Sequence, residues 1–258
     1  MTSPAATLQL IAVPGLPRVQ EGDDLVGLVI AGLAGAGLSL QADDVIVFAQ
    51  KIVSKSEGRF VDLATVTPSP HALELAAQVE KDARLVELVL SESRRIVRTA
   101  KDVLIVEHRL GFVMANAGVD QSNVADPGGR DMALLLPVDP DASAARLKAE
   151  FERRAGCALG VIINDSFGRP WRLGTVGIAI GSAGLPAMLD QRGETDMFGR
   201  TLRVTVVAYA DEIAAAASLL MGQADEAQPV IVVRGLHRRD PQLPASTLLR
   251  PPGEDLFR

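Results

Sequence analysis

A chain of 258 residues, 48% hydrophobic and 22% charged, has enough apolar material for one sizeable core. A formal charge of -6 and an aromatic content of 3% set aside nucleic-acid binding through phosphate attraction or base stacking. One cysteine, Cys157, excludes an intramolecular disulfide and fits a reducing, cytoplasmic setting, and Met1 to Leu10 carries no secretory pattern.

In chain order, Thr7 to Val13 reads as a strand closed by Pro14-Gly15-Leu16-Pro17. Asp23 is placed to cap a helix from Asp24 to about Ala36. The uncharged run Leu25 to Ala42 contains four glycines and is bracketed by Asp23, Asp24, Asp43 and Asp44. It therefore reads as a buried helix and turn, not a membrane span. Asp44 to Gln50 is the continuous apolar run expected of a strand buried on both faces, followed by a polar turn, Ser54 to Gly58.

Ser69-Pro70 opens a helix whose apolar face is Leu73, Ala76, Val79, Ala83, Val86 and Leu90. Short strands follow at Ile96 to Arg98, Val103 to Glu107 and Phe112 to Ala115, then a loop from Asn116 to Asp131. Asp139-Pro140 starts a helix that turns Ala144, Leu147 and Phe151 inward and stops at Gly156. Ala158 to Ile163 is a strand and Asn164 to Arg172 a polar loop. Val176 to Ile180 and Leu202 to Tyr209 are strands, Asp211 caps a helix to Met221, and Val230 to Val233 is the last strand. The Pro- and Arg-rich tail after Arg234 is expected on the surface. The fold class is mixed α/β (α+β), without strict alternation. A weak candidate boundary lies near residues 125 to 140.

Familiar nucleotide and hydrolase signatures are missing. No G-x-x-x-x-G-K-[ST] loop exists, and Gly32, Gly35 and Gly37 end a helix instead of opening one. His71, His108 and His237 have no zinc spacing, and there is no G-x-S-x-G elbow. What remains is a set of polar turns at strand ends. Gly118 to Asn123 and Asn164 to Arg172 each place an aspartate, Asp120 or Asp165, where a strand leaves the core. Hard divalent cations take oxygen ligands of this kind, usually one or two carboxylates plus substrate phosphates. The plain alternative is an Asx-turn at each aspartate. Gln50 to Arg59 supplies lysines and hydroxyls suited to phosphate oxygens, or simply a solvated charged turn. Met221 to Glu226 reads first as a helix end capped at Gly222, then a polar loop.

Six segments, in order, resemble the coenzyme F420-0:gamma-glutamyl ligase family over nearly the whole chain. They follow Pro14-Gly15-Leu16-Pro17 and run Lys51 to Arg59, Ala115 to Val124, Leu136 to Ala144, Asp165 to Arg172, Ala210 to Ala214 and Pro229 to Gly235. The resemblance implies that family's mixed sheets flanked by helices, one ligase domain over 1–258 with two intertwined subdomains as a variant, and a homodimer. It implies L-glutamate and coenzyme F420-0 or a close analogue as substrates, with GTP, Mg2+ or Mn2+, and K+ as a further cation. No nucleic acid, membrane or appended reductase domain is expected. By matching position, Asp120, Asp165, Ser166 and Gln223 look like metal ligands. Leu16, Pro17, Arg18, Val19, Gln50, Lys55, Asn123, Met221, Gly222, Gln223, Ala224, Asp225, Glu226, Ala227 and Gln228 look like nucleotide contacts. Lys55, Arg169 and Arg172 are the candidates for stabilising transferred charge.

Four positions depart from the family pattern: Gln50 for a small hydroxyl residue, Ser166 for threonine, Thr175-Val176-Gly177 for Gln-Thr-Asp, and a longer Ala125 to Met132 loop. The expected chemistry is phosphorylation of the acceptor carboxylate followed by attack of the glutamate amine. A ligase with another acceptor, a metal-dependent phosphohydrolase and a non-catalytic binding protein are the alternatives.

Overall fold

Apolar runs such as Val45-Ile46-Val47-Phe48 need cover on both faces, and that requirement shapes the molecule. The computed structural model describes residues 6–124, 128–236 and 241–255. Its strands are β1 (Gln9–Ala12), β2 (Val45–Ala49), β3 (Phe60–Asp62), β4 (Ser93–Ala100), β5 (Val103–His108), β6 (Val113–Ala115), β7 (Met132–Leu134), β8 (Gly160–Arg169), β9 (Arg172–Ala183), β10 (Leu189–Asp190), β11 (Val206–Val207) and β12 (Val230–Arg234). Its helices are α1 (Leu25–Gly35), α2 (Gln50–Ser56), α3 (Pro70–Val79), α4 (Ala83–Ser91), α5 (Pro140–Ala155) and α6 (Tyr209–Met221). The mixed α/β expectation holds.

The main sheet runs β1-β12-β2-β8-β9. Only β2 and β8 are parallel within it, with Val45 opposite Gly160 and Ala49 opposite Asn164. Ile46, Phe48, Val161, Ile163 and Val232 join one core with Val29 and Leu33 of α1 and Phe151 of α5. Val45, Val47, Ile162, Ile231 and Val233 join the other with Ile213, Ala214 and Ala217 of α6. The period-two alternation of side chains along each strand produces this division. A smaller sheet, β4-β5-β6, is covered by α3 and α4 through Ala72, Val79, Val86, Val89, Leu104 and Val106.

Helices approach β9 closely on both sides. A Cβ at Gly181 would lie 2.3 Å from the Pro140 carbonyl oxygen of α5, and one at Gly177 would lie 2.1 Å from Ser218 Oγ of α6. Any side chain at Gly177 would thus collide with α6.

Several sequence expectations are corrected. Asp24, not Asp23, caps α1 by accepting from the Gly27 amide at 3.0 Å, while Asp23 accepts from Gln20. The single helix expected after Ser69 breaks in two: Glu80 is left-handed, and Asp82 caps α4 through the Arg84 amide at 2.8 Å. Leu73 is 55% exposed, so it lies off the buried face. The turn at Ser54 to Gly58 is the end of α2, and Asn164 to Arg172 is mostly strand, the outer part of the β8–β9 hairpin. The strand expected at Leu202 to Tyr209 shrinks to β11, and α6 begins at Tyr209. Asp211 does not cap it; its carboxylate accepts from the Ala179 amide of β9 at 2.9 Å. The tail is not all surface. Ala245 is fully buried, and Asp141 accepts from the amides of Ala245 and Ser246. Residues 125–127, in the loop and boundary region singled out above, and His237 lie outside the described residues. Among the described residues no helix is long and apolar enough to cross a membrane.

Candidate functional site

The carboxyl ends of the parallel strands β2 and β8 gather most of the polar residues singled out from the sequence. This is where parallel strands commonly present ligand-binding loops. The β2 strand runs directly into α2, so Gln50, Lys51 and Lys55 stand just past its end. Gln50 is buried, and its Oε1 accepts from Ser54 Oγ at 2.8 Å. Asn164 pairs with Ala49, which carries Asp165 and Ser166 beyond the same edge.

Asp120 arrives from a different element. Its backbone forms a bridge with Leu134, giving and receiving hydrogen bonds at 3.0 and 2.8 Å. The turn before it is unusual: Asn116, Ala117 and Gly118 all have positive φ, at 52°, 51° and 66°. Two consecutive non-glycine residues in that region carry a conformational cost that surrounding packing must offset. Ala117 is buried against the α3–α4 core, which holds the turn in place.

The side chains then meet. Lys51 Nζ lies 2.7 Å from Asp120 Oδ2 and donates to Ser122 Oγ at 2.8 Å. Asp120 also accepts from the Ser122 amide at 2.6 Å, which is an Asx-turn. The turn geometry and the ion pair coexist, so the plain alternative and the functional one are not exclusive. Lys55 Nζ donates to the Asn123 carbonyl at 2.7 Å. On the other side, Gln223 Nε2 donates to Ser166 Oγ at 2.8 Å, and the Ser166 amide donates to Asp165 Oδ1 at 2.9 Å. Asn164 Nδ2 reaches Ser218 Oγ and Met221 Sδ, tying the end of α6 to β8.

The electrostatics join these pairs into one cluster. Burial pushes the Asp165 carboxyl up to about 6; the Ser166 amide and Lys51 pull it down, and Asp120 adds to the rise. For Asp120, burial also works upward, but hydrogen bonds from Lys51 and the Ser122 amide outweigh it and leave the carboxyl below its usual range. Burial lowers Lys55, with Lys51 and Arg18 adding repulsion and Asp120 opposing them. Lys51 and Asp120 thus act on both Lys55 and Asp165, and Arg18 acts on Lys55.

A half-buried carboxylate whose desolvation outweighs its local partners is a group that a cation would satisfy. The donor set of two carboxylates, a hydroxyl and an amide oxygen is of the hard type that suits Mg2+ or Mn2+. Among the described residues no group of three or more His, Cys, Asp or Glu could hold a metal ion alone. Water or phosphate oxygens would complete the shell of a divalent cation held by these residues.

Other expected residues sit further out. Arg169 and Arg172 face each other at the exposed end of the β8–β9 hairpin, and Arg169 donates to the Leu173 carbonyl. Four residues of extended strand separate Arg169 from Asp165, roughly 13 Å. Leu16 to Val19 border α2, with Arg18 felt by Lys55. A groove of about 400 Å3 lined by Pro14, Gly15, Pro17, Leu28 and Gly32 lies beside that segment. A cleft of about 270 Å3 lined by Asp43, Lys148, Glu152 and Tyr209 opens at the far end of β2 and β8, away from the carboxylates. In the loop after α6, which spans Gly222 to Gln228, the Ala224 amide donates to Glu226, and the Pro229 carbonyl accepts from the Ala49 amide. Lys51 lies in the Gln50 to Arg59 segment whose lysines suited phosphate oxygens, but the sequence reading gave it no individual role. Its pairing with Asp120 came from the fold, not from the spacing.

The family described as F420-0:Gamma-glutamyl ligase matches residues 15–235. A protein of Methanothermobacter thermautotrophicus named coenzyme F420:L-glutamate ligase is 47% identical over 254 residues, covering 97% of this chain and 99% of its own. Proteins of the same name from Methanopyrus kandleri and Methanocaldococcus jannaschii are each 43% identical. The first aligns over 98% of both chains, the second over 85% of this chain and 86% of its own.

Proposed function

The chain belongs to the F420-0:gamma-glutamyl ligase family, and from that premise we propose that it joins L-glutamate to the carboxylate of coenzyme F420-0, or a close analogue, with cleavage of GTP. The observation that carries this reading is the meeting of Asp120, Asp165, Lys51 and Lys55 at the ends of β2 and β8.

An amide cannot form from a free carboxylate at neutral pH without activation. The acceptor carboxylate attacks the γ-phosphorus of GTP, giving an acyl phosphate and GDP. The glutamate amine then attacks the acyl carbon, loses a proton and expels phosphate. When bound, a divalent cation held by Asp120, Asp165, Ser166 and Gln223 neutralises phosphate charge. Lys55 and Arg18 bind phosphate oxygens, while Gln50, Asn123, Leu16, Pro17, Val19 and the loop Met221 to Gln228 frame the nucleotide. Arg169 and Arg172 approach the transferred charge from the hairpin. A homodimer working in the cytoplasm belongs to the same proposal.

A phosphohydrolase could use the same two carboxylates, and glutamate dependence separates the two. Purified protein with F420-0, GTP, glutamate and Mn2+ should yield acceptor heavier by glutamyl units, with GDP in step, by mass spectrometry. Phosphate release that ignores glutamate, with unaltered acceptor, refutes the ligase reading.

A further inference from the structure

The ammonium of Lys51 is held directly by Asp120, with Asp165 close enough to feel its charge. It is 2.7 Å from Asp120 Oδ2 and 2.8 Å from Ser122 Oγ, and Asp165 lies within its field. Its side chain is 29% exposed, so it is held by the site without being sealed into it. Two carboxylates, Asp120 and Asp165, and a further cation, Lys55, act with it, and Arg18 acts on Lys55 in turn.

We propose that Lys51 is an exchangeable internal cation, which holds Asp120 in the free protein and passes to phosphate oxygens when a metal-nucleotide complex arrives. The proposal rests on the reading of Asp120 as a cation ligand and adds an order of events to it. A dication binding Asp120 competes with the ammonium at contact distance, because like charges there repel in a partly desolvated site. Metal binding therefore favours release of the ammonium. The lysine stem is flexible enough to carry its charge several ångströms while α2 stays in place. A displaced ammonium without an acceptor loses its partner, which penalises metal binding alone. With a triphosphate present the ammonium gains new oxygens, and the penalty disappears. Metal and nucleotide therefore bind with positive coupling, and the coupling is reciprocal.

The test is Mn2+ binding followed by electron paramagnetic resonance, in the full chain without nucleotide, for wild type, Lys51→Met, Lys51→Arg and Asp120→Asn. GTP affinity is measured separately with and without Mn2+. Lys51→Met should bind Mn2+ alone about tenfold more tightly than wild type. Its GTP affinity should respond less to the metal. Lys51→Arg keeps a cation at the carboxylate and should stay near wild type. Thermal melts of the variants check folding, and Lys51→Gln serves as the second neutral variant. If Asp120→Asn abolishes Mn2+ binding while both neutral Lys51 variants match wild type, the exchange is refuted and the metal site stands. If Asp120→Asn binds Mn2+ as wild type does, the metal assignment and the exchange both fall.

Discussion

Replacing Asp165 with asparagine isolates the cost of keeping a charge at the centre of the site. Burial raises this carboxyl from 3.8 to about 6. A shift of roughly two units corresponds to about 3 kcal/mol against the ionised form in the fold. The native state holds the proton more tightly than the unfolded chain, so stability is highest below about pH 4 and falls as pH rises through about 6. The carboxamide keeps the shape and can still accept from the Ser166 amide, but it cannot ionise. Allowing for relaxation around the site, Asp165→Asn should stabilise the metal-free protein near neutral pH by about 2 kcal/mol, or about 5 °C in Tm for a chain of this size. The gain should vanish near pH 4. Differential scanning calorimetry at the two pH values reads both. Glutamate transfer should be lost in the same variant, a common exchange of stability for function. A variant destabilised at neutral pH, or one showing the same shift at both pH values, would refute the reasoning.

Asp120→Asn should reduce turnover by more than about 100-fold, the scale of removing one electrostatic stabiliser, with steady-state GDP release as the measurement. Gly177→Ala would set a methyl carbon 2.1 Å from Ser218 Oγ and 2.7 Å from the Ala214 carbonyl oxygen. Overpacking of that kind should cost about 1–3 kcal/mol in urea unfolding. Glu92 is nearly buried among Arg59, His108 and Arg109. Burial works to raise its carboxyl, but His108 and Arg109 outweigh it and hold the group at about 2. Its stabilisation is present above about pH 4.5 and lost as pH falls toward 2. Glu92→Gln should therefore destabilise the protein by about 2 kcal/mol near neutral pH and flatten the acid limb of the stability curve, as followed by circular dichroism.

The sequence by itself determined the layers. Continuous apolar runs at β2 and β12 required cover on both faces, and helices lie there because Val45 to Phe48 and Val230 to Val233 alternate between two cores. Pro70 and Pro140 marked helix starts correctly, since a proline at the first turn gives up no hydrogen bond. Local chemistry alone did not locate every boundary. Asp82 breaks the long helix through a local N-cap bond to the Arg84 amide, whereas Asp211 serves β9 instead of its own helix because packing brings the Ala179 amide to it. Individual turn residues were legible as cation ligands or as Asx-turns, with nothing in one dimension to choose between them. Only the tertiary structure decided that Lys51 meets Asp120, that Gln223 meets Ser166, and that Arg169 and Arg172 stand at the end of a hairpin. Those contacts span 69, 57 and 3 positions of sequence, by subtraction of the residue numbers; the first exists because β7 holds Asp120 beside α2, and the second because α6 packs against β8.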